Sequence, residues 1–518
     1  MKDMIDKSKA KINKNTPIEI ILFVLIVLQT GIIFYVNLAH YNYNLNADIA
    51  SEGLLARLIW ESGEWVPSTW YVAEETRVFD VANLAALFYG VTDNMQLSVG
   101  LACCVMTVGI MLSAYYFVSG LKLELVQKEI FLLLCMILPN NFMIIELFYL
   151  FASYYSPHII ALFLTLGIYA RSLDNSLNHA YLIITLVLHF MLGVQGVRGI
   201  LVIAGPVFAV EIVRAVYAWY RKAKYTKEDV KILVWSFLLI VIGFAGGLLP
   251  FAVGEELSRN IRKAPSKFVH NILPDMLKSI GFQDANHWIE KLVLLFFMIA
   301  AIIVLSMILY HGIMKQKLGP REWTYLVLFG SPVATAVIAA FTTVESSGRY
   351  YFVFIMAMAL AVTLLWNRKE KAKTALFMVF ITGLFVVNFV KVYRPILQSE
   401  DLVNDSRYHV VRFLEENGYK RAYSSFEQSN TMTSMCNGRV QVSPVASFEK
   451  MDICKWMAST DWYCPNVPLE EKTAYVVSEY FIEEFEKFEE KHQDTIVFET
   501  KIGQYYIYGS EYNYSVLE

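Results

Sequence analysis

The sequence predicts an α-helical polytopic membrane protein with about eleven transmembrane helices, followed by a small C-terminal α/β or α+β domain in water. Of the 518 residues, 56% are hydrophobic and only 18% are charged. The apolar residues form uninterrupted runs of about 20, the length that a helix needs to cross a bilayer. A soluble chain would distribute them among several cores. The runs recur along residues 1–394 and stop there.

The net charge of −3 is unevenly distributed along the chain. Residues 1–394 carry 33 Lys and Arg against 26 Asp and Glu, whereas residues 395–518 carry 11 against 21. Nucleic acid would repel the acidic C-terminal region. We therefore expect membrane lipid, and no nucleic acid, among the partners.

The first predicted span runs from Pro17 to Leu38, after a polar N-terminus with five lysines. It is longer than the apolar part of a secretory signal, so we expect it to be retained. Pro139-Asn140-Asn141 interrupts the third span and predicts a kink. The further spans are expected near residues 95–119, 129–151, 157–171, 179–196, 199–219, 231–252, 290–313, 322–343, 350–366 and 374–393.

The positions of Lys and Arg predict the orientation in the cell membrane. With a cytoplasmic N-terminus, the basic groups at 122–128, 171, 221–231, 315–321 and 368–373 all fall in inner loops, as the positive-inside tendency requires. Segment 253–289, with five basic residues, is the exception. Eleven spans then place the C-terminal domain outside the cytoplasm.

Three large pieces are expected on the outer face: loop 39–80, loop 253–289 and the domain 395–518. In the first, Ile49, Leu54, Leu55, Leu58 and Ile59 recur at helical spacing. This pattern predicts an amphipathic helix at the membrane surface, or one that caps the bundle.

The C-terminal domain mixes short β-like runs with helical stretches. We find no motif in it that carries chemistry. Its cysteines have no metal-ligand spacing, and a Cys454–Cys464 disulfide is one alternative in an oxidising space. The predicted strands are 439–445, 473–477, 495–499 and 504–508, and the predicted helices are 408–417 and 482–492.

Asp48 is the first candidate for chemistry. It opens the helix of loop 39–80, where an Asp is commonly an N-cap. The alternative is a general base on the outer face of the bundle. From the residue alone, the N-cap is the favoured interpretation.

Two arginines lie in short outer turns between apolar spans. Arg349 precedes Tyr350 at the start of the tenth span, and Arg198 stands between Gly196 and Gly199. Each suits binding of a phosphate, because the guanidinium offers a planar fork of donors. Each could instead snorkel to the lipid headgroups.

Loop 253–289 concentrates four basic residues, Arg259, Arg262, Lys263 and Lys267. An anionic headgroup or a lipid-linked phosphate would compensate their charge. A solvated loop paired with nearby acidic residues is the alternative.

Several residues are weighed as site lining or as structural groups. His158, at the start of the fourth span, shares the outer compartment with Asp48, and Glu74, Glu75 and Tyr350 are further candidates for lining. A structural role is favoured for the interior residue His189 and for Glu211 and Arg214, which lie one turn apart.

Together these features resemble the C-type (GT-C fold) integral-membrane glycosyltransferases, in particular the bacterial branch of protein O-mannosyltransferases and aminoarabinose transferases. The architecture covers nearly all of residues 1–394. The Trp-Trp-Asp motif of oligosaccharyl transferases is absent. The matching stretches are Asn46-Ala47-Asp48 with Leu54-Leu55-Ala56-Arg57, Ser153 to Arg171, Gly193 to Pro206, and Gly348-Arg349-Tyr350-Tyr351.

The resemblance implies transfer of a sugar from a polyprenyl-phosphate donor to an envelope acceptor, a glycan, lipid or protein. Asp48 would activate the acceptor hydroxyl, and Arg198 and Arg349 would contact the donor phosphate. The family often has a second acidic residue where this chain reads Ser156-Pro157-His158, so a divalent metal stays open. The rival hypotheses are a flippase for a lipid-linked saccharide and a non-catalytic envelope scaffold.

Overall fold

The computed structural model describes residues 16–41, 44–175, 178–252, 263–281, 288–314, 318–343, 346–366, 371–399 and 405–516. The helices in these ranges are α1 (Thr16–Ala39), α2 (Ala47–Ser62), α3 (Val81–Thr92), α4 (Met95–Gly120), α5 (Leu125–Ile137), α6 (Phe142–Phe148), α7 (Ser156–Asp174), α8 (His179–Gln195), α9 (Gly205–Tyr220), α10 (Lys227–Gly247), α11 (Ala264–Lys267), α12 (Leu273–Ser279), α13 (Trp288–Met314), α14 (Pro320–Phe341), α15 (Phe352–Leu365), α16 (Lys371–Asn388), α17 (Arg394–Leu397), α18 (Ser406–Glu416), α19 (Phe426–Met435) and α20 (Ile482–His492). Helical segments of other pitch lie at Ile200–Ala204, Phe268–Ile272, Gly348–Tyr351 and Phe389–Tyr393.

The predicted spans all coincide with helices. Within the described ranges, nine helical segments are long and apolar enough to cross a membrane. The span expected at 179–196 is the 17-residue helix α8. The span expected at 129–151 is divided between α5 and α6, and the helix direction bends by 120° between them. Pro139 cannot donate a backbone hydrogen bond, and the Asn141 side chain accepts from the Ile144 amide at 2.8 Å and starts a new helix. The kink predicted from Pro139-Asn140-Asn141 is thus confirmed.

The chain divides into two compact units. Unit 1 comprises Met1–Ile33, Thr107–Phe148 and Tyr155–Arg394, and unit 2 comprises Phe34–Met106, Tyr149–Tyr154 and Pro395–Glu518. Unit 2 therefore joins most of the predicted first outer loop to the C-terminal region. In the prediction from sequence, that loop is part of a transmembrane domain of residues 1–394.

Close helix packing characterises unit 1. A Cβ atom on Gly193 of α8 would clash with the Gly243 carbonyl oxygen of α10, so these helices approach through glycines. Arg214 pairs with Glu211 at 2.8 Å and with Asp229 at 2.6 Å. The structural pair predicted for Glu211 and Arg214 is present, and buried His189 contacts the Thr185 carbonyl at 2.9 Å.

The strands in the described ranges are β1 (Trp70–Tyr71), β2 (Arg421–Ser425), β3 (Gln441–Val445), β4 (Ala458–Ser459), β5 (Thr473–Ser478), β6 (Ile496–Ile502) and β7 (Tyr505–Ser510). The C-terminal part of unit 2 is built on a mixed five-stranded sheet of order β3-β2-β5-β7-β6. Strand β2 pairs in parallel with β3 and β5, and β7 pairs antiparallel with β5 and β6. Helices α18 and α19 cover one face and α20 covers the other, so the domain is an α/β sandwich.

The four predicted strands and two predicted helices of this domain are all present. The sequence analysis missed β2 and α19, whose short, polar segments lack a clear apolar period. Cys454 and Cys464 are free thiols in the structure.

The predicted first outer loop folds onto this domain within unit 2. Strand β1 pairs antiparallel with β4, with Trp70 opposite Ser459 and Tyr71 opposite Ala458. Helix α2 forms where an amphipathic helix was expected, and its apolar face is buried against α3 and α19. Protein therefore covers the side of α2 that carries Leu54 and Leu55.

Candidate functional site

Unit 1 contains an arginine–tyrosine cluster, defined here as Tyr155, Arg198, Arg349 and Tyr350. The Arg198 guanidinium carbon lies 4.4 Å from the centre of the Tyr155 ring and 5.2 Å from the centre of the Tyr350 ring. The guanidinium carbon of Arg349 lies 5.5 Å from the same Tyr350 ring centre. The two arginines that the sequence singled out therefore share one aromatic side chain.

The contacts with the Tyr155 and Tyr350 rings stabilise the two arginines. A guanidinium over a ring face is held by the ring quadrupole, an attraction of about 0.5–2 kcal/mol. The cluster therefore places two permanent positive charges beside one ring.

Glycines shape both turns that carry the arginines. Gly196 ends α8 at φ 133°, a conformation that residues with a Cβ rarely adopt. Gly348 is buried, and a Cβ there would lie 3.3 Å from the Asp275 carbonyl oxygen of α12. A glycine is therefore needed near Arg198 because of its backbone conformation, and next to Arg349 because of close packing.

His158 lies beside this cluster. Its side chain is buried, and its ring centre is 5.8 Å from that of Tyr155. Tyr155 in turn packs against Phe352, with the ring centres 5.4 Å apart. The structure thus brings together four of the predicted site residues: Arg198, Arg349, Tyr350 and His158.

Asp48 belongs to unit 2, in the first turn of α2, where its side chain is exposed. The N-cap of this helix is Asn46, whose side chain accepts from the Ile49 amide at 2.8 Å. The alternative that Asp48 is the N-cap is therefore wrong. A carboxylate in the first turn is still stabilised by the helix dipole.

One helical turn after Asp48, Glu52 is buried in a carboxylate cluster, defined as Glu52, Glu75 and Asp80 around Arg77. The Arg77 guanidinium lies 3.1 Å from Glu52, 2.9 Å from Asp80 and 3.7 Å from Glu75. It also lies over the Tyr154 ring, 5.2 Å from the ring centre. Three carboxylates thus surround one cation.

Burial and crowding perturb the titration of this cluster. Burial raises the pKa of Glu52 to about 7, with smaller increases from Asp80 and Asp48 and an opposing effect of Arg77. Burial likewise raises the pKa of Asp80 to about 6. The negative charge on Glu52 and Asp80, near Asp48, therefore changes near neutral pH.

Of the carboxylate cluster, only Glu75 was among the predicted site residues. Glu52, Arg77 and Asp80 were not predicted to belong to a site. One signal was available: Arg77 is one of only two basic residues in loop 39–80. Such a cation among many acidic residues commonly has a carboxylate partner.

The remaining candidates are more dispersed. Glu74 is exposed, and so is Lys263, whereas Arg259 and Arg262 lie outside the described residues. In the described part of the chain, no group of three or more His, Cys, Asp or Glu side chains is arranged to hold a metal ion.

Comparisons with known proteins agree with this architecture. No protein-family model matches the chain, and no curated protein matches it. Among solved structures, ArnT from Cupriavidus metallidurans in the apo state is 12% identical, with a TM-score of 0.54, over 94% of this chain and 97% of that one. The same protein bound to undecaprenyl phosphate is 11% identical, with the same TM-score and coverage.

An oligosaccharyltransferase from Archaeoglobus fulgidus, in complex with Zn and sulfate, is also similar. It is 12% identical, with a TM-score of 0.50, over 88% of this chain and 68% of that one. These likenesses confirm the fold class: the chain has the GT-C fold of integral-membrane glycosyltransferases. Within that class, the ArnT structures match it over nearly their full length.

Proposed function

We propose that this protein is a membrane glycosyltransferase that uses a lipid-linked sugar donor. The finer form of the proposal is transfer from a polyprenyl-phosphate sugar to an envelope acceptor on the outer face of the cell membrane. The arginine–tyrosine cluster in a GT-C fold carries this proposal, because it offers two fixed cations for a phosphate at the ends of apolar spans.

The chemistry of the reaction accounts for the cations. The bond between the anomeric carbon and the phosphate oxygen breaks, and its electron pair leaves with the prenyl phosphate. The sugar becomes positive in the transition state, and the leaving group gains negative charge. Arg198 and Arg349 would stabilise that charge, an electrostatic effect in which one lost donor costs about 10²–10³-fold in rate.

Asp48 would supply the base in the same reaction. The acceptor hydroxyl oxygen forms the new bond to the anomeric carbon, and its proton passes to the Asp48 carboxylate. An exposed carboxylate suits this role because the acceptor must reach it from water. Glu52 and Asp80 would add negative charge behind it as the pH rises.

The donor class is supported by the ArnT structure bound to undecaprenyl phosphate, which shares the fold. The distribution of Lys and Arg supports a cytoplasmic N-terminus and an outer C-terminal domain. Under this proposal, the prenyl tail stays in hydrocarbon while its phosphate reaches the bundle surface.

The test is a transfer assay with the full chain in nanodiscs and a panel of radiolabelled polyprenyl-phosphate sugars. We expect wild-type protein to move label from at least one donor to an acceptor in an envelope extract. Arg198→Gln combined with Arg349→Gln should reduce the rate by at least about 100-fold. Arg412→Gln is the matched control, because Arg412 is an exposed arginine paired with Glu416.

The rival functions predict other results. Movement of intact lipid-linked sugar across a proteoliposome membrane, without a new glycosidic bond, would identify a flippase. Binding of an envelope protein with no turnover of any donor would favour a scaffold. Either result would overturn the proposal.

A further inference from the structure

We propose that the C-terminal domain is a positioning element for the helix that carries Asp48. This inference rests on the base function proposed above for Asp48. Its starting observation is that α2 packs against α19 within unit 2, although hydrogen-bonded residues of the two helices lie 379 positions apart in the chain.

The first connection is a buried relay of hydrogen bonds. The Asn430 side chain, which is fully buried, donates from Nδ2 to Ser51 Oγ at 2.8 Å and to the Met457 carbonyl at 3.0 Å. The Ser51 hydroxyl donates in turn to the Ala47 carbonyl at 2.6 Å. Because Asp48 lies between Ala47 and Ser51, the relay ends on the turn that carries it.

The second connection holds the start of α4, where Met95 contacts α2. Asn437 accepts from the Met95 amide at 2.9 Å through Oδ1 and donates to the Asp93 carbonyl at 2.7 Å through Nδ2. The Cβ of Met95 lies 3.2 Å from where a Cβ on Gly53 of α2 would be. The C-terminal domain therefore holds the first residue of α4, which contacts Gly53 in the middle of α2.

Strong packing constrains this second connection. Asn437 and Gly438 have consecutive positive φ angles of 51° and 75°. A residue with a Cβ rarely adopts the φ of Gly438, whose carbonyl accepts from the Arg57 guanidinium of α2 at 3.5 Å. The turn that contacts α2 and α4 therefore depends on a glycine.

A third connection lies at the far end of the loop. The Thr460 amide donates to the Thr69 carbonyl at 2.9 Å, next to the β1–β4 pairing. The rings of Trp70 and Trp462 meet edge to face with their centres 5.9 Å apart. The C-terminal domain thus contacts both α2 itself and the part of the loop that follows it.

These contacts give a domain without chemical motifs a role. An isolated helix of about 16 residues is only marginally stable in water, so tertiary packing must hold α2 in place. Displacing a reacting group by about 1 Å can reduce a rate by about 100-fold. The Asn430 relay is therefore expected to affect turnover without touching the substrate.

The experiment compares two buried asparagines of the same unit. Asn430→Leu removes the relay at nearly constant volume, and Asn513→Leu is the control, because Asn513 is also buried but donates to Tyr423 within the C-terminal domain. Hydrogen exchange of residues 47–62 is measured in the full chain. Asn430→Leu should accelerate it by about tenfold, since the Ser51 hydroxyl and the Met457 carbonyl lose their donor, and Asn513→Leu should not.

Kinetics supply the second readout. Asn430→Leu should lower kcat by about tenfold or more and leave the donor KM within about twofold. Ser51→Ala is a milder variant of the same relay, and combining it with Asn430→Leu should add little further effect.

The outcomes separate the inference from the proposed function. Unchanged exchange in Asn430→Leu, or equal acceleration in Asn513→Leu, would overturn the positioning role. Faster exchange with an unchanged kcat would overturn it as well. If wild-type protein transfers no sugar at all, the proposed function fails, and the exchange data still decide whether the domain holds α2.

Discussion

The arginine–tyrosine cluster of unit 1 and the carboxylate cluster of unit 2 are charged groups stabilised in different ways. Arg198 and Arg349 lie against aromatic ring faces, and their charge is permanent at every physiological pH. Glu52 and Asp80 are buried around a single arginine, and burial moves their titration close to neutrality.

The difference teaches what each cluster is suited to do. A charge that does not titrate can attract a phosphate under all conditions, so it suits binding of an anionic group. A charge that titrates near pH 7 suits proton chemistry, because it can alter the proton affinity of a neighbour such as Asp48. The predictions below test this division, from the largest expected effect to the smallest.

Asp48→Asn removes the proposed base and should lower the transfer rate by about 10²–10⁴-fold. The measurement is turnover of a labelled polyprenyl-phosphate sugar at equal protein level. Asp93→Asn is the control, because Asp93 is exposed and adopts a left-handed conformation that asparagine tolerates. Wild-type activity in Asp48→Asn would show that Asp48 is not the base, and the proposed role of unit 2 in proton chemistry would be wrong.

Tyr350→Leu removes the ring that both arginines share. The loss of cation–π attraction, about 0.5–2 kcal/mol, should raise the donor KM by about 2- to 30-fold. Tyr350→Phe keeps the ring and should leave the KM near the wild-type value. Equal effects of the two substitutions would show that the hydroxyl, and not the ring, matters.

Glu52→Gln should change how stability depends on pH. The folded-state pKa of Glu52 lies above its ordinary value of 4.5, so between pH 4.5 and about 7 the folded state holds a proton that the unfolded state has lost. Stability contributed by this group is thus highest at low pH and falls as the pH rises through that window.

The substitution should flatten that slope. The change that it causes in the free energy of unfolding of unit 2 should be more stabilising at pH 8 than at pH 5, by on the order of 1 kcal/mol. Hydrogen exchange of unit 2 at several pH values measures this difference. Glu61→Gln is the control, because Glu61 is exposed and pairs with Arg57. An identical pH slope in Glu52→Gln and wild type would contradict the assigned titration.

Local patterns in the sequence predicted most of the fold. The apolar runs located the helices, and Pro139 located the break between α5 and α6. The sequence also identified Arg198 and Arg349, since charged residues in short turns between spans stand out. It misjudged the cap of α2, because the choice between Asn46 and Asp48 depends on the backbone of one residue.

The carboxylate cluster could not be predicted in the same way. Glu52 and Arg77 lie 25 positions apart, and the segment 63–76, which follows α2 and leads to Arg77, gives no periodic signal. Strand β2 was missed for a related reason: its segment is short and polar, and it is a strand because two neighbours pair with it.

By itself, the sequence determined that this chain is a bundle of membrane-spanning helices with an acidic C-terminal domain. A helix satisfies its own backbone hydrogen bonds, so a span can be recognised from its residues alone. Only the tertiary structure decided that the Tyr350 ring contacts both arginines, that Arg77 pairs with three carboxylates and that Asn430 donates to Ser51. Those contacts join distant segments, and they depend on how the elements pack.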